Sequence, residues 1–129
     1  MPLSLLCSPT KRGRVATYGA ADCEGLSSLL AALPCLRSLL LRENSIGSEG
    51  APALARGLLH TPRLEFLSLH DNTLKADGAR ALCAALGAMP LLRSLDLSDN
   101  FLEDVGLVSL APALMHLAML ESLQVGAPV

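Results

Sequence analysis

The sequence predicts an α/β solenoid, a short horseshoe with parallel strands on its concave side and helices on its convex side. Two observations carry this. Leu36, Leu64, Leu92 and Leu120 stand 28 residues apart, and so do Leu39, Leu67, Leu95 and Leu123. Within each step the spacing of apolar residues changes from two to four, a strand period giving way to a helix period. An ungapped repeat of this length marks stacked units.

Each element follows in order. Residues 1–21 read as an irregular N-terminal segment, in which "LSLLCS" (3–8) offers an irregular strand before a loop through residue 21. The array spans 22–129. A half unit (22–35) keeps Leu26 and Leu30 in helix phase, full units cover 36–63, 64–91 and 92–119, and 120–129 begins another. Leu39 and Leu41, Leu67 and Leu69, and Leu95 and Leu97 alternate, as a strand with one buried face requires. Leu54 and Leu58, Leu82 and Leu86, and Leu110 and Leu114 lie four apart, with Ala51, Ala79 or Leu107 three before: a helix stripe. Pro34, Pro62 and Pro90 close the units. No unit can bury its apolar face alone, so the units stack. Helices are wider than the strand spacing of about 4.8 Å, so the stack bends.

Asn44, Asn72 and Asn100 keep the same step. After each strand the chain turns inward and buries backbone groups outside any regular ladder. A short amide can both donate to and accept from such groups, so an internal asparagine ladder is expected. Gly50, Gly78 and Gly106 permit close approach at the helix starts. Ser48 and Asp104 are the expected helix N-caps; Ala76, at the matching place, has Asp77 beside it.

The stretches "LRSLLLREN" (36–44), "LEFLSLHDN" (64–72) and "LRSLDLSDN" (92–100) share L-x-x-L-x-L-x-x-N-x-L/I. The pattern resembles the leucine-rich repeat family. The 28-residue step, with G-[AL]-x-x-L-[AC]-x-x-L after the asparagine, is similar to its ribonuclease-inhibitor-type subclass. Arrays of nucleotide-binding innate-immunity receptors and the Ran GTPase activator share that subclass. The resemblance covers roughly residues 22–125. It implies a non-enzymatic protein–protein interaction module, binding through the concave strand face and adjacent loops. The alternative it implies is a GTPase-activating array, with Arg42, Asn44 and Asp71 near the active loop edge.

Composition narrows the classes. A net charge of −2 and only three aromatic residues argue against nucleic-acid binding. Cys7, Cys23, Cys35 and Cys83 are scattered without metal-ligand spacing and read as small buried hydrophobes or free thiols; a reducing compartment fits that best, and the cytoplasm is the expected location. "KRGR" (11–14) reads as a solvated basic loop. The charge-poor stretch 105–120 is shorter than a membrane span and contains Pro112. His60 and His116 lie two units apart, so no metal and no cofactor is expected. No P-loop, GxSxG or HExxH motif occurs.

The open strand face reads by column: Ser38, Phe66, Ser94 and Ser122; then Leu40, Ser68, Asp96 and Gln124; then Arg42, His70, Ser98 and Gly126; then Glu43, Asp71 and Asp99. From these, Leu40, Arg42, Glu43, Phe66, Ser68, His70, Asp71, Asp96, Ser98 and Asp99 are the expected partner-binding residues. The acidic row, with neighbours about 5 Å apart, suits either solvent or a basic protein partner. Leu40 and Phe66 supply an apolar spot beside it. His70, Ser98 and the nearby aspartates raise a hydrolase reading, but an open strand face offers neither oxyanion hole nor water exclusion, so no catalytic residue is expected. Val108, Pro112 and Met115 replace the polar or small residues of other units, and solenoids need capped ends. Self-association through the array ends or the 106–119 helix, or continuation in a longer array, is the expectation.

Overall fold

The computed structural model describes residues 3–6 and 22–126. Cys7, the basic stretch 11–14 and the expected loop through residue 21 lie outside the described residues. Strands and helices alternate: β1 (Leu3–Leu6), α1 (Cys23–Ala31), β2 (Leu36–Leu40), α2 (Gly47–Leu58), β3 (Phe66–Ser68), α3 (Lys75–Gly87), β4 (Ser94–Asp96), α4 (Glu103–Leu114) and β5 (Ser122–Gln124). The strands form one parallel sheet in chain order, β1-β2-β3-β4-β5. Part of the 1–21 segment therefore belongs to the sheet, since β1 pairs with β2 along Leu3–Leu6.

The register is the one the 28-residue step demands. Leu39 pairs with Leu67, Leu67 with Leu95, and Leu95 with Leu123. Leu39, Leu67 and Leu95 are at most 2% exposed, whereas Leu123, on the last strand, is 41% exposed. Each helix packs on its sequence neighbours, α1 on α2, α2 on α3 and α3 on α4. The core lies between sheet and helices and is almost wholly leucine and alanine. Such side chains bury no polar atom, and each contributes about 1.5–3 kcal/mol when a leucine-sized group leaves water.

The asparagines form the ladder. Asn44, Asn72 and Asn100 are buried. The Asn72 side-chain oxygen accepts from the N–H groups of Asn44 (3.0 Å) and Ile46 (3.3 Å), while its Nδ2 donates to the carbonyls of Leu41 and Leu69. Asn100 repeats this one unit on, accepting from Asn72 N–H and Leu74 N–H and donating to Leu69 and Leu97. Backbone groups stranded by the turn are thus satisfied from the next unit, which a buried segment requires.

The helix starts differ from expectation. Ile46, Leu74 and Leu102 occupy the N-cap position of α2, α3 and α4, without side-chain cap bonds. Ser48 and Asp104 fall inside the first turn, and Asp77 likewise lies within α3. An apolar cap is tolerated because the neighbouring unit supplies the partner: Gly47 N–H donates to Asn72 O and Lys75 N–H to Asn100 O, each at 2.8 Å. The glycines do allow close packing. A Cβ at Gly106 would lie 3.2 Å from the Ala76 Cα, and one at Gly78 would lie 2.9 Å from the Leu74 Cβ.

Candidate functional site

Alternation along the strands fixes which side chains leave the core. Leu39, Leu41, Leu67, Leu69, Leu95 and Leu97 point inward, so Leu40, Ser68 and Asp96 between them face the open side. The predicted columns are in register: Ser38, Phe66, Ser94 and Ser122 pair in sequence, and so do Leu40, Ser68, Asp96 and Gln124. Phe66 is 43% exposed, Leu40 is half-buried and Ser68 is buried. Ser38, Leu40, Phe66, Leu67, Ser68, Ser94, Asp96 and Gln124 line a depression of about 370 Å³ on this face. Ser68 thus lies on its floor rather than on an exposed surface.

The ladder continues past the strands. Glu43 N–H donates to His70 O, Asp71 N–H to Ser98 O and Asp99 N–H to Gly126 O. This holds Arg42, His70 and Ser98 in line and brings the acidic residues to one edge. Glu43, Asp71 and Asp99 all have left-handed backbone, with φ of 59°, 56° and 57°. Short aspartates tolerate that region better than most residues, which gives this row a turn-forming role besides its charge. Arg42, Glu43 and Asp71 are exposed, and Asp99 is half-buried. Asn44, which sequence placed near the same edge, is fully buried and unavailable to a partner.

His70, Ser98, Asp96 and Asp99 meet in one polar chain. His70 Nδ1 lies 2.8 Å from Ser98 Oγ, and Ser98 Oγ donates to Asp96 Oδ1 at 2.5 Å. The Ser98 N–H reaches the same carboxylate oxygen at 3.0 Å. His70 Nε2 faces Asp99 Oδ2 at 3.6 Å. The polarity is the reverse of a nucleophile triad. There the serine gives its proton to the histidine, and the histidine is oriented by a carboxylate. Here the serine proton is directed at a carboxylate, so Ser98 accepts from the imidazole. The arrangement fixes side chains; it does not activate a nucleophile.

Another column escaped the sequence reading. Arg37, Glu65, Arg93 and Glu121 alternate in sign at the 28-residue step. They pair along the sheet: Arg37–Glu65 at 3.5 Å, Arg93–Glu65 at 3.8 Å and Arg93–Glu121 at 3.0 Å. The hydrogen bond and charge of Glu121 hold the Arg93 guanidinium above its usual range. The legible signal was the sign alternation in phase with the repeat.

The convex side carries a contrasting surface at its last helix. Val105, Val108 and Met115 are 58%, 72% and 85% exposed, and Phe101 and Met119 are half exposed. At the positions matching Val105 and Val108, the preceding unit carries Asp77 and Arg80, which pair with each other in solvent. Among the described residues no cluster of histidine, cysteine or acidic side chains could hold a metal ion. No helix there is long and apolar enough to cross a membrane.

A family model described as Leucine Rich repeat matches residues 32–55 and 88–111. The two matched segments begin at the same place in the repeat, two units apart, and each spans a strand, its asparagine and the following helix start. The fold is a leucine-rich repeat solenoid. Such repeats are generally protein-interaction modules and typically not enzymes. No curated protein matches the chain. In this leucine-rich repeat solenoid, the strand face is a single surface assembled from every unit.

Proposed function

We propose that the chain is a non-enzymatic protein-binding module of the ribonuclease-inhibitor-type subclass, working in the cytoplasm. The partner is a protein that meets the strand face and its exit loops. One observation supports this most: Phe66 stands exposed on a depression lined otherwise by Leu40, Leu67 and five polar residues, with the carboxylates of Glu43 and Asp71 at the adjoining edge. Exposed aromatic residues surrounded by polar rims are the usual anchors of protein interfaces. Glu43 and Asp71 form no ion pair within the described residues, so a basic partner surface complements them. Leu40, Arg42, Ser68, His70, Asp96, Ser98 and Asp99 complete the surface.

Affinity capture from lysate, followed by reconstitution with the purified partner, tests this reading. Phe66→Ala combined with Asp71→Ala abolishes retention if the face is correct; equal retention by the double variant rejects it. A GTPase-activating role would use Arg42 and Asp71 at the exposed edge, and a GTP-hydrolysis assay over a panel of small GTPases separates it from simple binding.

The exposed apolar strip of α4 favours a second contact, self-association. Val105 and Val108 on α4, with Phe101, Met115 and Met119 in the segments flanking it, offer it exposed apolar side chains. Sedimentation velocity across a concentration series tests this, with Val108→Glu plus Met115→Glu expected to yield a monomer; a wild-type chain that stays monomeric at high concentration rejects it.

A further inference from the structure

We propose that the depression between β2, β3, β4 and β5 is a receptor for one arginine side chain of the partner, an inference that rests on the strand-face reading above. The floor supplies the first reason. Ser68 is 7% exposed, and its hydroxyl has no hydrogen-bond partner. Buried polar groups in folded proteins are nearly always paired, and an orphan costs about 1–3 kcal/mol. An orphan lining an open depression is paired by whatever enters it.

The wall beside it supplies the sign. Asp96 is the cross-strand neighbour of Ser68. Its Oδ1 is occupied by the Ser98 N–H and hydroxyl, which lock the carboxylate in place. Its Oδ2 accepts nothing from the described residues, so a fixed, half-buried carboxylate oxygen is left for a donor. An anionic ligand would be repelled, and a purely apolar one would strand both oxygens.

Shape favours arginine over lysine. Ser68, Ser94, Asp96 and Gln124 place their oxygens on three adjacent strands, and a planar guanidinium with five N–H donors can serve more of them at once than an ammonium with three. Leu40 and Phe66 offer apolar surface to the methylene stem, and the ring of Phe66 can stack on the guanidinium plane. A volume of about 370 Å³ is at the small end for ligand pockets and suits a single side chain.

The test titrates N-acetyl-arginine methylamide into the full chain, uniformly labelled with nitrogen-15, and reads amide shifts. The expected result is saturable change confined to residues 38–40, 66–68, 94–98 and 124. The uncharged citrulline analogue binds at least tenfold more weakly. Asp96→Asn, which keeps the Oδ1 bonds to Ser98, weakens arginine binding about tenfold. Ser68→Ala weakens it about threefold yet leaves the melting temperature unchanged or higher, because the orphan hydroxyl is gone; a structural role alone would not produce that opposite pair. Equal binding of citrulline, indifference to Asp96→Asn, or shifts centred elsewhere overturn the assignment. Phe66-dependent capture of a partner, alongside failure of the arginine titration, removes the pocket and leaves the strand-face reading standing; arginine binding without Phe66-dependent capture does the reverse.

Discussion

The side-chain oxygen of Asn72 accepts from the main-chain N–H of Asn44, 28 residues earlier, at 3.0 Å. That bond joins two units at their least regular point. Replacing Asn72 by Ala removes the side-chain partner of the Asn44 and Ile46 N–H groups and of the Leu41 carbonyl, while the Leu69 carbonyl keeps its bond from Asn100. With each buried orphan costing about 1–3 kcal/mol before relaxation, urea denaturation should register a loss of about 3 kcal/mol or more. Asn72→Asp keeps an acceptor but turns charge toward carbonyls, so it should not rescue stability. A loss below about 1 kcal/mol for the alanine variant would mean the ladder is incidental.

Gly47, Lys75 and Glu103 occupy the same place in successive units, and all have positive φ, at 70°, 60° and 57°. Only glycine adopts this region without steric cost, which is about 1–2 kcal/mol for other residues. Lys75→Gly and Glu103→Gly should each stabilise by about 0.5 kcal/mol after the entropy of a freer unfolded chain is counted. Gly47→Lys should do the opposite. Melting curves of the three variants decide this, and a lower melting temperature for both glycine variants counts against it.

Gly57 and Gly87 provide a paired contrast. A Cβ at Gly57 would lie 2.8 Å from the Ser27 Cα, a backbone atom that cannot swing away. Gly57→Ala should cost about 1–3 kcal/mol through forced separation of α1 and α2. A Cβ at Gly87 meets nothing within 4 Å, so Gly87→Ala should gain up to about 1 kcal/mol from helix propensity. Chemical denaturation of both variants should move their midpoints in opposite directions.

The thiols differ in reach and in proton affinity. Cys35 is exposed, whereas Cys23 is buried and Cys83 half-buried. Burial pushes the Cys23 thiol up, and Asp22 and Glu24 push it further. Burial also raises that of Cys83, against the opposing charge of Arg80, and its Sγ–H donates to the Ser109 carbonyl at 2.8 Å. Raised values leave less thiolate at neutral pH, so the alkylation rates of Cys23 and Cys83 should climb only at more alkaline pH than a free thiol requires. Mass spectrometry after iodoacetamide treatment at pH 7.5 should find Cys35 modified first; early labelling of Cys23 would show that α1 is not packed as described.

The apolar period made most of the fold readable. Leucines recurring at one step must share one interior, and alternation around Leu39, Leu67 and Leu95 set the open columns correctly. What escaped reading is imposed by neighbours rather than by residue type. Nothing about Lys75 or Glu103 announces positive φ; at Lys75 the conformation goes with an N–H that reaches Asn100 O in the next unit. Ser48 and Asp104 have the chemistry of caps, yet the N-cap positions fall to Ile46 and Leu102, and at α2 the adjacent unit supplies the bond through Asn72 O. At the site, the columns containing Phe66 and Asp96 were legible from parity alone. That Ser68 is buried without a partner was not, because it depends on how Leu40, Phe66 and Asp96 close around it.

Hydrogen–deuterium exchange of the chain with and without its purified partner tests the central claim most directly. Binding at the strand face predicts slowed exchange across 38–43, 66–71 and 94–99, with the α4 strip from Val105 to Met119 unchanged. Protection confined to that strip, with the strands exchanging as in the free chain, would contradict it.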